Sequence, residues 1–150
     1  GKYRELSLLA RGYELGVPVT VHVALGTDTI HADPDAQGRS YGEVSFKDFQ
    51  IFCAQVSRLE EGVVVNVGSA VVLPEVFLKA LSIARNLGFE VRRFTSANLD
   101  MSYQYRPLEN VLRRPLGEEG QGIAIVGRHE LVLPLLAAGI KLGLGKKPET

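Results

Sequence analysis

The sequence predicts a three-layer α/β domain with a mainly parallel sheet of four or more strands. The first observation is the stretch 63–88, where a β-branched run leads through a turn of small residues into a helical pattern. The second is that apolar runs and helical patterns alternate along the chain, as they do in parallel sheets. The length of 150 residues suits one packed core, so we predict a single domain over 1–145 and a flexible tail over 146–150.

Residues 63–67 form the central predicted strand, because their hydrophobicity is continuous, as in a strand that is buried on both faces. A turn of small residues at 68–70 follows, and Pro74 suits the first turn of a helix that ends at Gly88. Small residues at the start of a helix let an anion approach backbone N–H groups, so we predict phosphate binding here. The alternative interpretation is a compact turn that any α/β unit needs.

The rest of the chain supplies elements on both sides of this unit. They are a helix over 3–15, a strand over 17–24, a helix over 49–59, a strand over 89–95, a strand over 123–126 and a helix over 129–142. Ser45 and Asp48 resemble a capping pair at the start of the second helix. The many polar side chains at 96–116 predict a polar loop. The last helix is so apolar that it needs partners on more than one side.

The composition excludes several classes of function. Lysine plus arginine and aspartate plus glutamate both number 17, and no basic stripe is present, which argues against a nucleic-acid partner. No apolar run approaches the roughly 20 residues needed to span a bilayer, so we expect a soluble protein. The single cysteine, Cys53, predicts a buried inert thiol and fits a reducing cytoplasm. The chain begins inside a helical pattern, which suggests that an N-terminal part of a longer protein is missing.

The carboxyl ends of parallel strands meet at one rim of a sheet, where α/β proteins bind ligands. The predicted rim collects Asp28, His31, Ser69, Asn98, Asp100, Arg106, Arg128 and His129. One interpretation is a nucleotide pocket.

The other interpretation of the rim is a metal site. His22, Asp28, His31, Asp33 and His129 are candidate ligands, since imidazole and carboxylate suit zinc or another divalent cation. A metal-assisted hydrolase using His31, Asp28 and Asp33 is therefore an alternative function, although no tight two-ligand spacing such as HExxH occurs.

Tyrosine and arginine are concentrated in the segment 103–114. Such side chains either clamp a ligand or form a subunit interface, where both residue types are favoured. We predict a homo-oligomer with Tyr105 and Arg106 at or near the subunit boundary. The alternative to an oligomer is that the last helix is enclosed within one chain, between the sheet and residues 3–15. A non-catalytic oligomerising domain is thus another possible function.

Several motifs occur in a recognisable order. They are Val17-Pro18-Val19, Ala24-Leu25 with Thr27-Asp28, the turn 66–72, Ser96-Ala97 to Asp100, Arg106-Pro107 with Glu109, and the apolar helix 131–138. Over nearly the whole chain this order resembles the C-terminal half of deoxyhypusine synthase. The resemblance implies a Rossmann-like, DHS-like NAD/FAD-binding fold, NAD as cofactor and sites built between subunits.

The predicted rim and the resemblance together imply a set of site residues. The cofactor-binding candidates are Gly26, Thr27, Asp28, Gly68, Ser69, Ala70, Ser96, Ala97, Asn98 and Arg106. The catalytic candidates are Asp28, His31, Asp100, Glu109 and His129.

The sequence also departs from the family at its catalytic motif. The family's imine-forming lysine follows the Arg-Pro segment in a Trp-Gly-Lys motif, whereas this chain has Leu-Arg-Arg-Pro at 112–115 and no tryptophan. Arginine stays protonated and does not form an imine. The place of the family's histidine pair is taken here by Leu73-Pro74-Glu75. The place of its Asp-Ala-Ser/Thr segment is taken by Arg128-His129-Glu130. We therefore predict a divergent relative that binds NAD or a related phosphate-bearing ligand without deoxyhypusine synthase activity, and leave its reaction open.

Overall fold

The structure is a computed structural model that describes residues 1–145, in which three strands and five α-helices are formed. The strands are β1 (Val63–Val67), β2 (Thr95–Asp100) and β3 (Gln121–Val126). The helices are α1 (Leu8–Leu15), α2 (Gly38–Val56), α3 (Val72–Asn86), α4 (Tyr105–Pro107), which continues as a π-helix (Leu108–Arg113), and α5 (His129–Gly145). The predicted tail at 146–150 lies outside the described residues.

The strands form one parallel sheet in the order β1-β2-β3. Val63 pairs with Thr95, and Thr95 pairs with Gln121, so β2 lies in the middle. This arrangement confirms an α/β fold with a parallel sheet, and it is compatible with a Rossmann-like fold. The predicted number of strands was wrong, because three rather than four or more are formed within residues 1–145.

The hydrophobic core lies on one face of the sheet, beneath α2, α3 and the π-helix. It is built around Val56, Phe77, Ala80, Leu81, Val91 and Phe94. On the same face, the hydroxyl of Ser96 donates to the carbonyl of Val111 at 2.7 Å. Cys53 packs against this core, and burial raises the pKa of its thiol, which disfavours the reactive thiolate. The thiol was predicted to be buried and is half-buried, and its raised pKa agrees with the predicted lack of reactivity.

The segment 17–24 is not a strand, which corrects the sequence prediction. Its N–H groups bond to side chains of α2, since Val21 N donates to Asp48 Oδ2 at 2.8 Å and Val23 N to Ser45 Oγ at 3.4 Å. These side chains take the place of a neighbouring strand. The same contacts correct the predicted helix start, because α2 begins at Gly38 and Ser45 and Asp48 lie inside it.

The segment 89–95 was also wrongly predicted as a strand, because β2 begins only at Thr95, its last residue. The carboxylate of Glu60 and the guanidinium of Arg85 form hydrogen bonds with its backbone groups instead. Glu60 Oε2 accepts from the N–H groups of Arg92 at 2.6 Å and Arg93 at 3.0 Å, and Arg85 donates to the carbonyl of Val91. The bond from the Arg92 N–H, followed by bonds from Arg93, lowers the pKa of Glu60.

The predicted polar loop at 96–116 is likewise wrong, since it contains β2, α4 and the π-helix. The predicted last helix is confirmed as α5, which carries Pro134 in its second turn. α5 contacts β2, yet most of its apolar side chains are exposed. No helix within residues 1–145 is long and apolar enough to cross a membrane.

Candidate ligand site at the carboxyl edge of the sheet

A tight turn joins β1 to α3 at the carboxyl edge of the sheet. Gly68 adopts a left-handed backbone with φ of 66°, and its N–H donates to the carbonyl of Leu99 at 2.9 Å. Glycine is needed because side chains with a Cβ rarely adopt this conformation. The turn is therefore fixed to the end of the neighbouring strand β2.

Two buried asparagines support this turn from below. Asn66 Nδ2 donates to Asn98 Oδ1 at 2.7 Å and to the carbonyl of Ser69 at 2.9 Å. Ser69 Oγ in turn accepts from Leu73 N at 3.1 Å in the first turn of α3. This network holds the backbone of the turn in one conformation before any ligand arrives.

Sequence reasoning did not select Asn66 as a site residue. The signal was present, because a lone amide in the apolar run 63–67 must find a partner when it is buried. That partner is Asn98, which sequence reasoning did select.

The start of α3 offers unoccupied backbone donors. Within residues 1–145, the N–H groups of Ala70, Val71 and Val72 have no protein acceptor, whereas Leu73 N is capped by Ser69. The start of a helix also carries a partial positive charge. An anion at this position would be attracted and could accept hydrogen bonds.

A second helix begins at the same place. His129 is the first residue of α5, and its Nε2 lies 3.2 Å from the carbonyl oxygen of Leu99. Because a carbonyl only accepts, Nε2 carries the hydrogen in this bond. Its Cε1 lies 3.1 Å from the position that a Cβ on Gly68 would occupy. Gly127 N donates to the carbonyl of Asp100 at 2.9 Å. The start of α5 therefore lies beside the turn that leads into α3, at the end of β2.

Charged groups surround the first turn of α3. Glu75 Oε1 accepts from Asn110 Nδ2 at 2.8 Å, and Arg106 Nε lies 3.5 Å from the same oxygen. The guanidinium thus offsets the carboxylate beside the turn. The side chain of Asp100 accepts from Met101 N at 2.7 Å and stays at the end of β2.

A cavity of about 350 Å³ adjoins the first residue of α3. Its lining is mostly apolar and comprises His22, Val23, Leu25, Tyr41, Gly42, Ser45, Phe46, Phe49, Val72 and Val76. Its volume is in the range of small-molecule sites.

The structure brings together only part of the predicted site. Gly68, Ser69, Asn98, Asp100 and His129 meet at the carboxyl edge, with Ala70 in the turn and Arg106 beside Glu75. Ser96 and Ala97 lie within β2 and are buried. Arg128 lies 3.7 Å from Glu130 across the start of α5.

The loop at 26–31 follows no strand, because 17–24 does not join the sheet. Asp28 caps the short 3-10 helix Thr29–Ala32, and His31 Nδ1 accepts from Gly26 N and Asp28 N at 3.2 Å each. These side chains hold their own loop, and Thr27 Oγ1 donates to the carbonyl of Ala24 at 2.6 Å.

The proposed metal ligands do not converge. Among residues 1–145, no group of three or more histidine, cysteine, aspartate or glutamate side chains has the spacing to hold a metal ion. His22 Nε2 lies 3.0 Å from Thr20 Oγ1, and burial lowers the pKa of its imidazole against the opposing charge of Asp48. Asp33 accepts from Asp35 N at 2.9 Å. Each of these groups is used locally.

Glu109, a catalytic candidate, lies in the π-helix. Its Oε1 accepts from Arg113 Nη1 at 2.7 Å, four residues later in the chain. This pairing gives Glu109 a partner that does not belong to the turn at 68–70.

No protein-family model, curated protein or solved structure matches this chain significantly.

Proposed function

We propose that this chain is a divergent deoxyhypusine-synthase-like domain that binds NAD or a related phosphate-bearing ligand at the carboxyl edge of its sheet. The phosphate lies against the N–H groups of Ala70, Val71 and Val72. The remainder of the ligand extends toward the adjoining cavity of about 350 Å³.

The observation that carries this proposal is a preorganised turn that leads into α3 and adjoins the start of α5. The turn at 68–70 is bonded to β2 through Gly68 and to the buried pair Asn66 and Asn98. His129 brings the start of α5 to the same point. Both helices direct partial positive charge there, and backbone fixed in advance does not lose conformational freedom when it binds.

Electrostatics favours an anion over a cation. Arg106 offsets the carboxylate in the first turn of α3, Glu75, to which Asn110 also donates a hydrogen bond. The carboxylate of Asp100, at the end of β2, accepts from the N–H of Met101. The turn itself presents donors and no ionised side chain. Phosphate bound at such a turn accepts hydrogen bonds from backbone N–H groups without needing a lysine.

The first test is calorimetric titration with NAD, with and without a metal chelator. Ala70→Asp places a carboxylate within the turn, where it repels phosphate and caps the free N–H groups itself. We expect saturable binding to the unaltered protein and about 10- to 100-fold weaker binding to this variant, since a hydrogen bond to a charged group is worth about 1.5–3 kcal/mol.

Ala54→Asp is the matched control, because Ala54 is exposed on α2. It should bind NAD as the unaltered protein does. The proposal fails if NAD produces no heat at millimolar concentration, or if Ala70→Asp binds NAD with unchanged affinity while its circular dichroism shows a folded protein.

The proposed function does not include aminobutyl transfer. The segment that corresponds to the family's catalytic lysine contains Arg113 and Arg114 but no lysine, so no imine can form there. With NAD, spermidine and a lysine-bearing acceptor, we expect no deoxyhypusine by mass spectrometry. Its formation above the level in a heat-denatured sample would contradict this prediction.

The proposal includes a homo-oligomer with Tyr105 and Arg106 at or near the subunit boundary. Tyr103 and Tyr105 are both more than 60% exposed, as interface residues are in an isolated chain. Because Arg106 pairs with Glu75 in the first turn of α3, a boundary there would adjoin the ligand site.

A further inference from the structure

One face of the sheet is apolar and largely uncovered. The register places Val65, Ala97 and Ile123 side by side on it, opposite the face that carries the core. Five branched side chains on this face are 37–64% exposed: Val63, Val65, Val67, Ile123 and Ile125. All-parallel sheets occur almost only with both faces covered. The exposed face therefore requires a partner.

Residues 1–145 of the same chain cover only its carboxyl end. Leu99, on this face, is buried where α5 begins and contacts β2. Beyond that point α5 adds exposed apolar side chains of its own: Leu131, Leu133, Leu135, Leu136, Ile140, Leu142 and Leu144.

We propose that this sheet face and α5 form the interface between two copies of this chain, related by a two-fold axis. The face lacks charged side chains, because its positions on all three strands are valine, isoleucine, leucine, alanine, threonine and glutamine. α5 contributes two formally charged residues, Glu130 and Lys141, which have opposite signs. Identical surfaces can therefore meet without repulsion between like charges.

The available apolar area approaches what a stable pair needs. The exposed apolar side chains of α5 lie on two opposite sides of the helix, so one partner covers only one side: Leu131, Leu135 and Leu142, or Leu133, Leu136, Ile140 and Leu144. The five side chains of the face and those of one side of α5 average about half exposure, and full burial of such a side chain removes about 60–120 Å² of apolar surface. They offer roughly 250–500 Å². A standard interface buries about 800 Å² per partner, of which about 65% is apolar in homodimers, or roughly 500 Å².

Ile123→Lys tests the interface, and Ile83→Lys is its matched control. The two isoleucines are 37% and 39% exposed, but Ile83 lies on α3, on the side of the sheet that the helices cover. Sedimentation equilibrium of the unaltered protein at tens of micromolar should give at least about twice the chain mass of 16.3 kDa, because the proposed boundary at Tyr105 and Arg106 would add further copies. Ile123→Lys should weaken dimerisation at least about 100-fold, because it buries an unpaired charge, and Ile83→Lys should not.

A second measurement guards against a lysine variant that fails to fold. In a Cys53→Ser background, Ile123→Cys should give a covalent dimer with a short bis-maleimide, whereas Ile83→Cys should not. A monomeric unaltered protein at tens of micromolar would overturn the proposal. So would a dimer that survives Ile123→Lys but dissociates in Tyr105→Ala with Arg106→Glu. Ligand binding is not needed for any of these outcomes.

Discussion

Leu81→Ala should lower the free energy of unfolding by about 3 kcal/mol, the usual cost of removing a buried leucine side chain from a core. Leu81 is 1% exposed and belongs to the cluster that joins α3 to α2 and the sheet. The loss combines the hydrophobic transfer of the removed atoms with the cavity they leave. Denaturant titration at a fixed protein concentration measures it.

Leu87→Ala is the matched control, since this leucine is 72% exposed and lies directly after the end of α3. The same chemical change there should alter stability by no more than about 0.5 kcal/mol. Equal losses in the two variants would show that the core is not centred on Leu81.

Gly68→Val should destabilise the fold by about 1–3 kcal/mol from backbone strain alone. The φ of 66° is a left-handed conformation that a β-branched residue strongly resists. A Cβ would also meet His129 Cε1 at 3.1 Å, which requires the imidazole to move. The midpoint of thermal unfolding should fall, and the bond from His129 to Leu99 should weaken.

Gly88→Val separates the two causes. Gly88 has a φ of 89° but no atom within 4 Å of the position that a Cβ would occupy, so this variant reports strain alone. A larger loss at Gly68 than at Gly88 would measure the contact with His129. If Gly68→Val were as stable as the unaltered protein, the geometry of the turn would be wrong. Because His129 occupies this space, weaker NAD binding by Gly68→Val would not by itself locate the phosphate.

The parts of the fold that sequence predicted were those where local and tertiary preferences agree. β1 is a continuous β-branched run, and α3 has apolar residues at helical spacing, so both were predicted with nearly correct bounds. α1 ends at Leu15, and Gly16, the predicted terminator, follows it with a left-handed φ of 65°. Such signals do not depend on which segments lie nearby.

β2 was missed because its sequence, TSANLD, has the composition of a loop. Pairing with strands on both sides and partners for its polar groups override that preference. The error at 17–24 has the opposite cause, because its strand-like sequence bonds to Ser45 and Asp48 instead of a strand. Side-chain partners distant in sequence decided both segments.

The same considerations apply to the site. The turn at 68–70 was predictable from its small residues, whereas the approach of His129 to Gly68 depends on the sheet bringing together residues about 60 positions apart. The loop at 26–31 was placed beside the turn only through a strand that does not form. Prediction of the site was therefore limited by prediction of strand pairing.

The purely parallel sheet also constrains how the chain folds. Val63 pairs with Thr95 and Thr95 with Gln121, so partners are 32 and 26 residues apart. Neither pair can begin as a local hairpin, and each must close its intervening loop before pairing repays the lost chain entropy. Folding should accordingly be slower than that of a helical bundle of similar length, and the edges of β1 and β3 should stay open to intermolecular pairing until α3 and the π-helix have packed.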